Sequence, residues 1–122
     1  MTETINELRQ RESRDLETIN ALKKEGSNFE KEHYLEHYFF LKSESSINKI
    51  ARRLSNKGYD LYEPQLVEDE ENQQELFLFK VGKKCYILPD KIFETTKYLT
   101  ELAIKFGGNS SCYDGWETQV IE

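Results

Sequence analysis

The sequence predicts an α+β fold, a ferredoxin-like split βαβ sandwich (βαββαβ) with an additional N-terminal helix. Three observations lead there. After the first helix the apolar patterns run strand, helix, strand, strand, helix, strand. The first and third of these strands read as apolar on both faces, which suits the two central positions of that sheet. The second contains Pro64, which has no N–H to give to a ladder and so belongs on an edge.

Each element follows from local chemistry. Thr4 to Lys24 reads as a helix with a thin stripe of Ile5, Leu8, Leu16, Ile19 and Leu22. Lys23 and Lys24 suit its negative end and Gly26 stops it. A stripe this thin predicts peripheral packing. The first strand, His33 to Leu41, reads HYLEHYFFL and is dense in aromatics. Ser43 then offers an N-cap, and Ile47, Ile50, Ala51 and Leu54 follow at helical spacing until Gly58. Tyr59 to Val67 is the edge strand. Glu68 to Gln74 is a polar loop, and Leu76 to Val81 the second two-faced strand. Gly82-Lys83-Lys84 reads as a tight turn or bulge before Tyr86 to Leu88. Asp90 can cap the next helix, with Ile92, Thr96, Leu99, Ala103 and Phe106 inward and Phe93 and Leu102 widening that face. Gly107-Gly108 ends it, and Cys112 to Ile121 is the closing strand. The expected organisation is an N-terminal helix over residues 1–26 and a single α+β domain over 27–122.

With 122 residues the chain supports one modest core. No apolar run approaches the roughly 20 residues of a membrane helix. Met1 to Arg14 lacks the basic-then-apolar order of a signal peptide, so the expected location is the cytoplasm. Cys85 and Cys112 have no Cys or His at metal spacing and are expected as free thiols. A net charge of -6 repels phosphate backbones, which disfavours direct nucleic-acid binding and suits a basic protein partner. Nor do the strand aromatics match an RNA-recognition module, whose basic-Gly-aromatic run is absent from Leu76-Phe77-Leu78-Phe79-Lys80.

Near the C-terminus, Tyr113-Asp114-Gly115-Trp116-Glu117 holds the only Trp of the chain. In a regular strand Asp114, Trp116 and Val120 share one face and Tyr113, Glu117 and Gln119 the other. Val120 marks the Trp face as the core face. Tyr113 and Glu117 are then the exposed pair, unless a bulge at Gly115 shifts the phase.

This segment resembles the closing motif of the regulator of ribonuclease activity B family, protein inhibitors of ribonuclease E. Glu25-Gly26-Ser27, Glu36-His37, Gly58-Tyr59, Leu102-Ala103 and Phe106-Gly107 agree in order and near spacing, so the resemblance spans roughly Ile5 to Val120. Some members carry a long acidic tail after the motif, where this sequence ends at Glu122. The resemblance implies the same architecture. It also implies a non-catalytic regulator that binds the scaffold region of ribonuclease E and modulates RNA decay. By position in the matching motifs, Glu36, His37, Tyr113, Asp114, Gly115, Trp116 and Glu117 are the candidate partner-binding residues. The acidic run Glu68, Asp69, Glu70 and Glu71 is added as a surface for a basic partner.

Two other classes compete: an interaction module for an unrelated protein, and a small metal-assisted enzyme. In the expected topology the last strand lies beside the first, bringing His37 near Asp114 and Glu117. His33 is about 13 Å further along the strand, so only a single-His site is possible. A hydrolase would need a nucleophile, a base and an oxyanion site. Cys112 with His37 is the one constructible pair, and no Gly-rich phosphate or oxyanion loop accompanies it. The reading is therefore one without catalytic residues, metal or cofactor, with the oligomeric state open.

Overall fold

The computed structural model describes residues 2–69, 71 and 73–122. Three helices pack on one face of a five-stranded antiparallel sheet. Helix α1 spans Ile5–Lys24, α2 Glu44–Ser55 and α3 Pro89–Leu102; the strands are β1 His33–Leu41, β2 Asp60–Leu61, β3 Gln65–Asp69, β4 Gln74–Cys85 and β5 Tyr113–Glu117. The order across the sheet is β5-β1-β4, with β2 and β3 both paired to the outer side of β4. The α+β class and the extra N-terminal helix are as expected, and β1 and β4 are the central strands.

The Pro64 segment lies on the edge and is broken there into β2 and β3. Gly82-Lys83-Lys84 is no turn: β4 runs straight through it, pairing Gly82 with Glu36 and Lys84 with Tyr34. Glycine suits position 82 for another reason. A Cβ there would collide with the ring and hydroxyl of Tyr34, which lies over the strand. Tyr86–Leu88 is not strand either, although Ile87 is buried. Helix α3 starts two residues earlier than Asp90 would place it, with Leu88 in the cap position and Pro89 first; Asp90 instead sits in the first turn, where a carboxylate suits the dipole. Cys112 belongs to a 3-10 turn, Ser110–Cys112, rather than to β5.

The two-faced apolarity of β1 has a different meaning from the one the sequence suggests. His33, Leu35, His37, Phe39 and Leu41 are buried under the helices, while Tyr34, Glu36, Tyr38 and Phe40 alternate onto a face that, among the described residues, no helix covers. The core is in two parts. One joins Phe39, Leu41, Phe79, Val81 and Tyr113 to α2 and the end of α3. The other joins Leu35, Ile87, Ile92 and Trp116 to Ile19 and Leu22 of α1. Helix α1 opens with a capping box between Thr4 and Glu7 and buries Arg11, Asp15, Ile19 and Leu22. Ile5 and Leu16, expected in its apolar stripe, are exposed. Beyond β5 the chain is tied back: Asn28 N–H donates to the Ile121 carbonyl at 2.7 Å and Ile121 N–H to Ser27 Oγ at 3.0 Å. Among the described residues no helix is long and apolar enough to cross a membrane.

Candidate functional site

The closing motif lies along β1 with a register shift between Tyr38 and Phe39, and Gly115 sits at the shift with φ +109°. That conformation is costly for any residue with a Cβ. The bulge changes the phase of the strand, so Tyr113 and Trp116 both point into the core, 7% and 9% exposed. The expectation of an exposed Tyr113 is thereby corrected. Glu117 is exposed as expected, whereas Asp114 and Val120, placed by alternation on the core face with Trp116, are exposed as well.

Each buried aromatic is held by a polar partner. Tyr113 Oη lies 2.8 Å from His37 Nδ1, and His37 is 1% exposed. Burial pulls the His37 pKa down to about 3 and pushes that of Tyr113 up. The neutral imidazole and the phenol share this one hydrogen bond. Trp116 Nε1–H donates to Asp15 Oδ1 at 3.0 Å, and Thr96 Oγ1 donates to Asp15 Oδ2 at 2.6 Å. Arg11 donates in turn to Thr96 Oγ1 at 2.7 Å, to the Phe93 carbonyl at 3.2 Å and to the Glu3 carboxylate at 2.8 Å. Burial raises the Asp15 pKa, against the hydrogen bonds of Thr96 and Trp116 and the charge of Arg11. This network locks β5 to α1 and α3. The sequence reading missed Arg11, Asp15 and Thr96 as a unit. The available signal was two opposite charges at i, i+4 on a helix whose apolar stripe is interrupted between Leu8 and Leu16.

The outward residues of β1 and its neighbours form a second group. Glu36 stands opposite Glu117 on β5 and its carboxylate accepts from Lys80 Nζ at 2.9 Å. Lys80 also lies 4.4 Å from the centre of the Tyr62 ring, and its bond to Glu36 raises its pKa. Tyr38 Oη donates to Glu117 Oε1, which raises the pKa of Tyr38. Tyr34 Oη donates to Asp60 Oδ2 at 2.9 Å and lies 2.7 Å from Tyr62 Oη.

The acidic segment borders a cleft at the end of the sheet. Glu68 is exposed on β3, Asp69 accepts from the Glu71 N–H, and Glu71 is exposed; Glu70 lies outside the described residues. Glu68, Asp69 and Glu71 line a broad 910 Å³ cleft together with Phe40, Lys42 and Asp114. The candidate residues thus divide three ways. His37, Tyr113 and Trp116 are inside, with Gly115 shaping the strand around them. Glu36 and Glu117 share the open face. Asp114 faces the acidic segment across a cleft.

Among the described residues no group of three or more His, Cys, Asp and Glu could hold a metal, and His37 is engaged with Tyr113 rather than with Asp114. Both cysteines are free and partly buried, and burial raises their pKa values.

Fold and site together define a small α+β protein whose last strand is locked into its core and whose sheet leaves one face open. A sequence model of the regulator of ribonuclease activity B family matches residues 12–118. A regulator of ribonuclease activity B from Colwellia psychrerythraea (strain 34H / ATCC BAA-681) is 30% identical over 104 residues, covering 85% of this chain and 86% of that protein. The chain belongs to the regulator of ribonuclease activity B family.

Proposed function

We propose that this protein is a non-catalytic, cytoplasmic regulator that binds a ribonuclease of the ribonuclease E type and modulates RNA decay. The observation that carries this reading is the family match over residues 12–118. Two features support it. The net charge of -6 favours a basic protein over RNA as the direct partner. The surface carboxylates Glu36, Asp114, Glu117, Glu68 and Glu71 support the same reading, because they offer charge for a basic partner. Asp69 and Glu70 belong to the same acidic run. His37, Tyr113, Gly115 and Trp116 serve the interface indirectly, by fixing the strand that carries Asp114 and Glu117.

The test is a cleavage assay. Purified protein is titrated into ribonuclease E acting on a short single-stranded RNA, and binding to the enzyme is followed in parallel by pull-down. The expected result is saturable binding with slower cleavage, and no RNA turnover by the protein alone. Absence of both binding and any change in cleavage rate would overturn the reading.

A further inference from the structure

We propose that the open face of the sheet binds an extended, arginine-rich segment of a partner protein. This rests on the protein-binding reading above and names the surface and the chemistry of what it recognises.

The argument begins with Lys80. Its ammonium is held between the Glu36 carboxylate, at 2.9 Å, and the face of Tyr62, at 4.4 Å. A cation between a carboxylate and an aromatic ring is the arrangement that recognises arginine, because a guanidinium stacks on the ring and forks onto the carboxylate at once. The face repeats this pairing without filling it. Glu117 lies beside the Tyr38 ring through the hydroxyl bond, and Asp60 lies beside Tyr34 and Tyr62. Among the described residues, Lys80 makes the one salt bridge on this face. Lys84, opposite Tyr34, is a second lysine on it, and Lys42 lines the cleft at its Phe40 end. Against these stand Glu36, Asp60 and Glu117 on the strands, with Glu63 at the rim.

The relief of the surface agrees. A 440 Å³ cleft bounded by Tyr34, Glu36, Glu117 and the chain beyond it lies on one side of the Glu36–Lys80 pair. A 270 Å³ cleft bounded by Tyr38, Tyr62, Glu63, Leu78 and Lys80 lies on the other. Crossing from β5 over β1 to β4 and its edge partner takes three strand spacings, about 14 Å, or roughly four to five extended residues. Half-buried Phe40, Leu76 and Leu78 continue the face with apolar surface for the stems of long side chains.

The experiment measures fluorescence anisotropy of a labelled 12-residue peptide of alternating arginine and serine, titrated with the full-length protein. A lysine-for-arginine peptide and a 12-nucleotide oligouridylate are run alongside. Three variants are compared with the wild type, each checked for native circular dichroism: Glu117→Gln, Tyr62→Ala, and Glu94→Gln on α3, away from this face. The arginine peptide should bind in preference to both other probes. Glu117→Gln should weaken it roughly tenfold, the scale of one charge-assisted hydrogen bond, and Tyr62→Ala should also weaken it, while Glu94→Gln should not. Three results would overturn the proposal: equal binding of the lysine peptide, tighter binding of the RNA, or an equal loss in Glu94→Gln. If the peptide fails but ribonuclease cleavage is still slowed, the surface is wrong and the regulatory role stands. If the peptide binds but no ribonuclease is affected, the regulatory role is wrong and the surface stands.

Discussion

Trp116 owes its position to Asp15, a residue 101 places away in the chain. Removing either partner leaves a buried polar group without its bond, which is costly when the partner's atoms stay behind. Trp116→Ala should cost about 3–5 kcal/mol of stability in urea unfolding. Glu117→Ala, at an exposed position, should stay within about 0.5 kcal/mol of wild type. Similar losses in the two variants would contradict the division into inward and outward residues. Gly115 offers a second check on the same strand. With φ at +109° and no atom within 4 Å of where a Cβ would sit, Gly115→Ala is strained without being crowded. Its loss should be about 1–3 kcal/mol. A neutral result in thermal unfolding would mean that the bulge relaxes freely.

Helix α1 can be tested by comparing positions along it. Ile19 and Leu22 are buried against Leu35, Ile92 and Trp116, whereas Ile5 and Leu16 are exposed. Ile19→Ala and Leu22→Ala should each cost about 2–5 kcal/mol, and Ile5→Ala and Leu16→Ala under about 0.5 kcal/mol. Equal, small effects at all four sites would show a helix only loosely held. This helix also shows where the sequence is legible and where it is not. Its C-terminal end is readable, because Gly26 is a local stop signal, while Thr4 begins it as a cap. Its inward face was not, because Arg11 and Asp15 are charged and their burial depends on Glu3, Thr96, Phe93 and Trp116, all outside that helical turn. Strand β1 was legible to the residue, since alternation and aromatic density act locally. Its open face was not, because a half-buried tyrosine reads as apolar whether or not a helix covers it. At Gly82 the signal was real but ambiguous. Glycine marks either a turn or a close approach, and only the Tyr34 ring decides between them. The phase of the closing motif turned on the same ambiguity at Gly115. The alternation rule placed Tyr113 outside, and the bulge brought it in.

At the scale of the whole molecule, the helices bury one side of the sheet, and with it a histidine that cannot readily take a proton. His37 has a pKa near 3, drawn down by burial, and its ring is bonded to Tyr113. In the unfolded chain a histidine binds its proton below about pH 6.5. Between about pH 6.5 and 3 the unfolded state therefore holds more protons at this position than the folded one. Stability then rises with pH by up to about 1.4 kcal/mol per unit. The His37 contribution is complete above about pH 6.5 and is lost progressively as pH falls through that window. Asp15 opposes it, because a carboxyl raised by burial favours the folded state as it protonates. The two are separated with His37→Gln, whose side chain can still hydrogen-bond to Tyr113 but has no charge to gain. Both proteins should be unfolded in urea at intervals from pH 7 to pH 4.5, comparing slopes rather than absolute stabilities, since the substitution also carries a fixed packing cost. The wild type should lose roughly 2–3 kcal/mol more than the variant over that range. Parallel curves would mean that His37 is protonated in the folded protein. The His37–Tyr113 pair could not then be the neutral contact that seats the closing strand.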